Sequence, residues 1–486
     1  MAAHQPGGAT AVTSHRADDP PQGAGRSWAP LILLCVAEFM VILDVTVVNV
    51  ALPSIGRSLR FAAADLQWVV TAYVLLSGGL VLLGGRAADL IGGRRVFLAG
   101  LGLFTAASLA SGLAPSAGAL IAARAGQGLG AALLTPAALA VIVATYSGRQ
   151  RAAALSAWAA LASGGAAAGL LAGGMLTTWL GWRSVFLINV PVGIAAGALS
   201  PRLVPRLRPS ADTGRRLDLP GAVLAAAGLV TLVYALAGAP SHGWGSARTL
   251  VLLAGAAVLL ATFAITERAV RRPLVPPDSW RIRSLRAGMA VMLGATGLLV
   301  GTFFLNSLYL QDVLGTSALR TGLEFLPVML AVGLGSHAAS RLLTSTGSRV
   351  IAVAGLAMMA GGALLLSAAG QHAGYLTGLL PGLLVTGIGT GLAFPAASIT
   401  AMSEIRPERA GLASGMMTGA HEVGAALGVA VFSALATAQA MAGGGFAAGY
   451  RHGFAVAAAA AAGLALLALV IVPAVRPAPG MKARVH

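Results

Sequence analysis

The residues able to do chemistry in this chain are charged groups set in apolar runs. Asp44 stands within "MVILDVTVVNVALP", and Glu38 precedes it by six residues. A carboxylate left charged at the centre of a bilayer costs about 2.5–3.5 kcal/mol on insertion scales. Such a group suits one task well: taking a proton from one side and losing it to the other. On a helix, Glu38 and Asp44 lie about 240° apart, so they cannot share a face. A second apolar run, "TGAHEVGAALG", carries His421 and Glu422, a neighbourhood able to pass protons. Glu324 and Asn49 are weaker pathway candidates, since Glu324 stands near an apolar run's edge, where water reaches. Asp44 ranks first as the proton-coupling group, then Glu422, then Glu38.

Arg124, in "RAGQGLGAALLTP", lies about seven residues inside its run and needs a partner, a wet cavity or a route to the surface. Gln127 is one turn away, and Gly128 and Gly130 permit close helix contact. "GGRAADLIGGRRV" places Gly85, Asp89, Gly92, Arg94 and Arg95 at a tight turn. Asp89 paired with either arginine would be a charge lock, while an ordinary basic hairpin has the same spacing. Gly165, Gly169, Gly173 and Gly174 recur at about one turn. They make a smooth helix face, suited equally to sliding and to static packing.

The elements that carry these groups are membrane helices. Of 486 residues, 57% are hydrophobic and 10% charged, against roughly a quarter charged in soluble domains. Mean hydropathy is +0.83. Apolar runs of about 20 residues recur along the chain, and the alternation of an outer-membrane barrel is missing. We read fourteen spans, near 30–53, 67–88, 96–114, 117–142, 152–178, 184–204, 219–239, 248–267, 286–309, 321–341, 350–369, 374–400, 410–437 and 453–474.

With loops assigned alternately, most of the 32 Lys and Arg fall on one side. Arg57, Arg60, Arg183, Arg248, Arg320 and Arg451 fall on the other. That bias puts both termini in the cytoplasm and assigns the net charge of +17 to topology and lipid headgroups, not nucleic acid. The single Cys35 excludes a disulfide framework and a cysteine metal site. No nucleophile–base set and no HExxH occurs, so an enzyme is the remote alternative, and no metal or cofactor is expected.

Motifs repeat at a fixed offset. Gly128-x-Gly130 with Pro136 returns as Gly387-x-Gly389 with Pro395, 259 residues on. Gly165 and Gly169 return as Gly424 and Gly428 at the same offset. The layout is therefore a tail (1–28, disordered), a six-helix bundle (29–204), linkers with two inserted helices (205–285), a second six-helix bundle (286–474) and a tail (475–486). Two parallel six-helix halves are the major facilitator architecture. Asp44 would line the cavity between them, and Phe303 stands at its repeat position, so the charge has no symmetry mate.

"LDVTVVNVALPSI", "GGRAADLIGGRR", "RAGQGLGAA" and "GWRSVFLINVPVG" resemble signature segments of the fourteen-helix drug:proton antiporters of the EmrB/QacA type. "LYLQDVLGTSALRTGLEFLP" and "PERAGLASGMMTGAHEVGAALGVAV" are similar to that family's second half. The resemblance implies proton-driven export of hydrophobic or cationic compounds from the bacterial cytoplasmic membrane, by a monomer that needs no cofactor. It gives Asp44 the first-span acidic role and Asp89, Arg94 and Arg95 the gating loop. Arg124, Gln127 and Gly128 become the fourth-span signature. The alternative is a dedicated exporter or symporter for one metabolite, such as a self-made antibiotic. Three departures stand out: Gly93 intrudes before Arg94, Leu170 replaces the antiporter proline, and His421–Glu422 replaces a basic or amide pair.

Overall fold

A computed structural model describes residues 27–62, 65–205, 218–270, 273, 275–369, 374–405, 410–439 and 445–474. They form long helices joined by short connections. These are α1 (Ala29–Leu59), α2 (Trp68–Ile91), α3 (Gly93–Gly112), α4 (Ala117–Thr145), α5 (Gly148–Trp179), α6 (Ser184–Leu187), α7 (Asn189–Leu203) and α8 (Leu219–His242). Then follow α9 (Ala247–Ala269), α10 (Arg283–Leu308), α11 (Ala318–Thr346), α12 (Ser348–Ser367), α13 (Leu380–Met402), α14 (Ala410–Gln439) and α15 (Gly445–Ile471). Helices satisfy their own backbone polar groups, which hydrocarbon requires. Pro53, Pro136, Pro327 and Pro395 sit inside helices without ending them, because neighbouring helices hold the rods.

Among the described residues, twelve helical segments are long and apolar enough to cross a membrane, and a shorter apolar stretch, Pro220–Leu236, lies in α8. The count of fourteen therefore stands, on these criteria, as twelve and a short thirteenth. Helix α5, 32 residues long, is not among the twelve, and several of its side chains lie outside the described residues. The sixth span is not one rod: α6 and α7 are separated at Ile188. Of the tail expected to be disordered at 1–28, residues 1–26 lie outside the described residues, as do the tail 475–486 and residues 206–217 of the linker.

The glycine repeat is a packing repeat. At Gly128 a Cβ would strike the backbone of Tyr73 on α2, and at Gly130 that of Phe104 on α3. Their mates on α13 do the same: Gly387 abuts Val328 of α11, and Gly389 abuts Gly355 and Met359 of α12. So α4 wedges between α2 and α3 just as α13 wedges between α11 and α12. Small residues at such crossings allow the close approach that drives helix association in lipid.

Two seams join the halves, where α2 meets α14 and where α5 meets α11, and α1 touches α10 near one end. Helix α8 packs on both α2 and α14, with Ala226 against Gly79, while α9 packs on α8. The inserted pair therefore lies along one seam.

Candidate transport site

Asp44 and Arg124 meet inside the first bundle as an ion pair with side-chain exposures of 0% and 1%. Helix α1 supplies the acid and α4 the base, and a set of hydrogen bonds surrounds the pair. Gln127 and Asn189 each donate to Asp44 Oδ1 at 2.9 Å. Arg124 donates through Nε to the Val69 carbonyl at 2.8 Å and through Nη1 to Gln127 Oε1 at 2.8 Å. Gln127 also donates to Ser108 Oγ and accepts from Ser111 Oγ. The Arg124 guanidinium lies 4.4 Å from the centre of the Tyr73 ring, a cation–π contact. Burying two charges is tolerable only when such hydrogen bonds complete the pair.

This placement corrects one expectation and selects one of the three options open to Arg124. Asp44 does not line the space between the halves; helices α1, α2, α3, α4 and α7 of one bundle enclose it. Arg124 does not reach the surface, because a carboxylate waits at its own depth. Ser108, Ser111, Tyr73 and Asn189 escaped sequence reading, being small, aromatic or amide residues of ordinary type. Asn189 lay within "GWRSVFLINVPVG", and the helix break before it was its one available signal.

Glu38 is buried on another face of α1 and accepts from Thr135 Oγ1 of α4 at 2.9 Å. Glu422 of α14 accepts from Ser77 Oγ of α2 at 3.2 Å, a bond that crosses between the halves. At Gly78 a Cβ would collide with the Glu422 side chain, so glycine there admits the acid to the seam. His421 turns away from its neighbour: it bonds Thr296 of α10 at 3.0 Å and meets Phe394 edge-on at 5.8 Å. Adjacent helical residues point about 100° apart, so His421 and Glu422 do not form the direct relay their adjacency invited.

The other candidates divide. Glu324 is no freely wetted group: it is buried, bonded to Arg320 Nε at 3.0 Å, and its Oε2 has no hydrogen-bond partner. Asn49 belongs to the contact between halves, its carbonyl accepting from Ser307 Oγ at 2.6 Å. Beside it, Gln311 donates to the Val50 carbonyl at 2.8 Å, and Arg57 pairs with Asp312 at 3.0 Å. On α5, Gly165, Gly169 and Gly173 pack tightly on Phe39 to Val47 of α1, within one half. Gly174 alone of that set crosses, against Leu319 of α11, next to the Leu170 carbonyl facing Gly322.

The cross-half contacts of α1 with α10 and of α5 with α11 lie toward one end, where α1 finishes and α11 begins. That end is closed. In the turn after α2, Gly92 adopts φ +102°, a conformation open to glycine, and Arg95 is exposed. The proposed Asp89 lock falls outside the described side chains, while Gly85 rests beside Pro136.

The sequence profile described as "Major Facilitator Superfamily" matches residues 34–429. A cephamycin export protein of Amycolatopsis lactamdurans is 43% identical, over 81% of this chain and 82% of that protein. A puromycin resistance protein of Streptomyces alboniger is 42% identical, over 82% and 80%. A multidrug resistance protein, Stp, of Mycobacterium tuberculosis is 36% identical, over 81% and 73%. In fold, the chain is similar to the POT family transporter PepTSo, with TM-score 0.67, 16% identity and coverage of 92% and 98%. A bacterial homolog of the lysosomal transporter Spinster gives TM-score 0.65 at 16% identity, over 94% and 100%. The profile spans most of the chain and the relatives are export and resistance proteins: this chain belongs to the Major Facilitator Superfamily, a membrane transporter and not an enzyme.

Proposed function

We propose that this protein is a proton-driven exporter of hydrophobic or cationic drugs or antibiotics, working by alternating access between its two bundles. The observation that carries this reading is the trio of intramembrane carboxylates Asp44, Glu38 and Glu422, in a chain whose relatives are named for export and resistance. Protonation of Asp44 would remove the charge that holds Arg124 and free the five-helix network around it. Each proton moved through 100 mV contributes about 2.3 kcal/mol to the cycle.

In this reading the chain crosses a bacterial cytoplasmic membrane fourteen times, with α5 and α8 completing the set. Its termini lie in the cytoplasm, and units 29–204 and 286–474 are its moving halves. The closed end then faces outward, so the fold is the cytoplasm-facing state. One monomer contains both halves and suffices. Within this class, a pump dedicated to one antibiotic is the second reading. The cephamycin and puromycin names carried by its relatives favour it.

The test is efflux of a panel of cationic dyes and antibiotics from proteoliposomes containing this protein alone, with and without a proton uncoupler. Export that collapses with the uncoupler is the expected result. Export indifferent to the uncoupler would refute proton coupling, and a single exported compound would select the dedicated pump.

A further inference from the structure

Pro53 stands inside α1, and a proline has no N–H to give. The carbonyl it would have bonded, four residues back, is that of Asn49. A backbone acceptor left empty at membrane depth is costly, so this one needs a donor from elsewhere. The donor comes from the other half: Ser307 of α10 gives its hydroxyl to the Asn49 carbonyl at 2.6 Å. One residue on, the Gln311 amide donates to the Val50 carbonyl at 2.8 Å and to Ser307 Oγ at 3.4 Å. Asn49, Pro53, Ser307 and Gln311 are all buried. Helix α10 loosens at the matching height. At the repeat offset Pro53 falls on Asp312, inside the π-helical turn Tyr309–Val313. There the Leu314 N–H reaches back five residues to the Tyr309 carbonyl at 3.0 Å. Both facing helices thus leave α-helical bonding at one level, α1 by a proline and α10 by a wide turn.

We infer that Pro53 is a positioning residue of the transport cycle: it keeps the Asn49 carbonyl free as the docking point for the second half. The inference rests on the alternating-access reading above and adds to it the residue that seats one half on the other. At the closed end this carbonyl has Ser307 and no N–H four residues on in its own helix. When that end opens, water replaces the hydroxyl, so the bond is made and broken once per cycle while α1 stays whole. An alanine at position 53 would fill the carbonyl from within α1 in both states, and closure would no longer depend on Ser307. The Val50 carbonyl differs, because Ser54 lies four residues on and keeps its N–H.

The experiment reads the two conformations directly, without substrate or proton gradient. In a Cys35→Ser background, spin labels replace Ser58 and Val313, both exposed near the closed end. Pulsed electron resonance in lipid nanodiscs then counts the short and long distances. Ser307→Ala strands the Asn49 carbonyl in the closed state alone, and should shift the populations toward the open end about ten-fold. On a Pro53→Ala chain the same change should shift them by less than about two-fold, since the carbonyl is then bonded within its helix. Gln311→Leu should act equally on both chains. No shift by Ser307→Ala in the parent would overturn the assignment. Populations that move equally in both chains would end the docking role and leave alternating access intact. Should Pro53→Ala fail to fold, Ser307→Thr decides. With the hydroxyl retained the parent populations should persist, and a threonine variant that behaves as the alanine would overturn the inference. Efflux that ignores the uncoupler ends proton coupling and leaves this result standing.

Discussion

Arg124 places its guanidinium between the Asp44 carboxylate and the face of Tyr73, so a single side chain ties α4 to both α1 and α2. With neither charged group reaching solvent, removing one strands the other. Breaking a buried pair this way costs about 3–5 kcal/mol. Asp44→Asn and Arg124→Gln should each lower the thermal unfolding temperature of the detergent-purified protein and abolish uncoupler-sensitive efflux. The double variant Asp44→Asn with Arg124→Met should lose less stability than the two single losses combined. Normal proton-driven export by Arg124→Gln would show that the pair is scaffold only.

The wedge of α4 tests the packing account. Gly128→Ala sets a methyl against the Tyr73 backbone, which cannot give way as a side chain tip would. Overpacking of this kind costs about 1–3 kcal/mol. Gly164→Ala on α5 meets open space, so helix propensity alone applies, a gain of up to about 1 kcal/mol. Thermal unfolding of the two variants should therefore move in opposite directions. A Gly128→Ala protein as stable as the parent would remove the close crossing from the account.

The Arg57–Asp312 pair closes one end of the molecule, though both side chains are largely exposed, at 63% and 45%. Exposed pairs contribute about 0–1 kcal/mol. Arg57→Asp should then shift the balance toward the opposite-facing state by no more than about five-fold, and the charge swap with Asp312→Arg should restore it. Spin-label distances between the ends of α1 and α10 report that balance. A change far beyond five-fold would mean the pair does more than latch.

The sidedness of the spans can be read from surface labelling. In a Cys35→Ser background, a cysteine replacing Gly245 in the α8–α9 turn should react with an impermeant maleimide from outside intact cells. One replacing Ser345, at the end of α11, should react only after the membrane is opened. Both sites are exposed, and no neighbour crowds Gly245. Labelling of the two from the same side would contradict fourteen crossings.

The repeat was legible because packing wrote it in glycine. Gly128 and Gly387 recur at one offset since each is the only residue that admits a neighbouring backbone. Asp44 and Arg124 were legible one at a time, as charges in the wrong solvent. Their pairing was not, because 80 residues and a helix reversal separate them. The sequence reading set Asp44 on the cavity by analogy of span, but helix rotation decides which way a residue faces. That rotation is set by small contacts such as Gly169 against Thr46. Thr135 and Ser77 were invisible for a plainer reason: a hydroxyl in an apolar helix usually bonds its own backbone.

The inserted helices also bear on symmetry. With α8 packed on both α2 and α14, one seam carries a splint that the α5–α11 seam lacks among the described residues. Opening of the closed end must bend or drag that splint on one side only. Lateral stiffness is then unequal, and an amphipathic molecule dissolved in the bilayer meets one shuttered flank and one bare one.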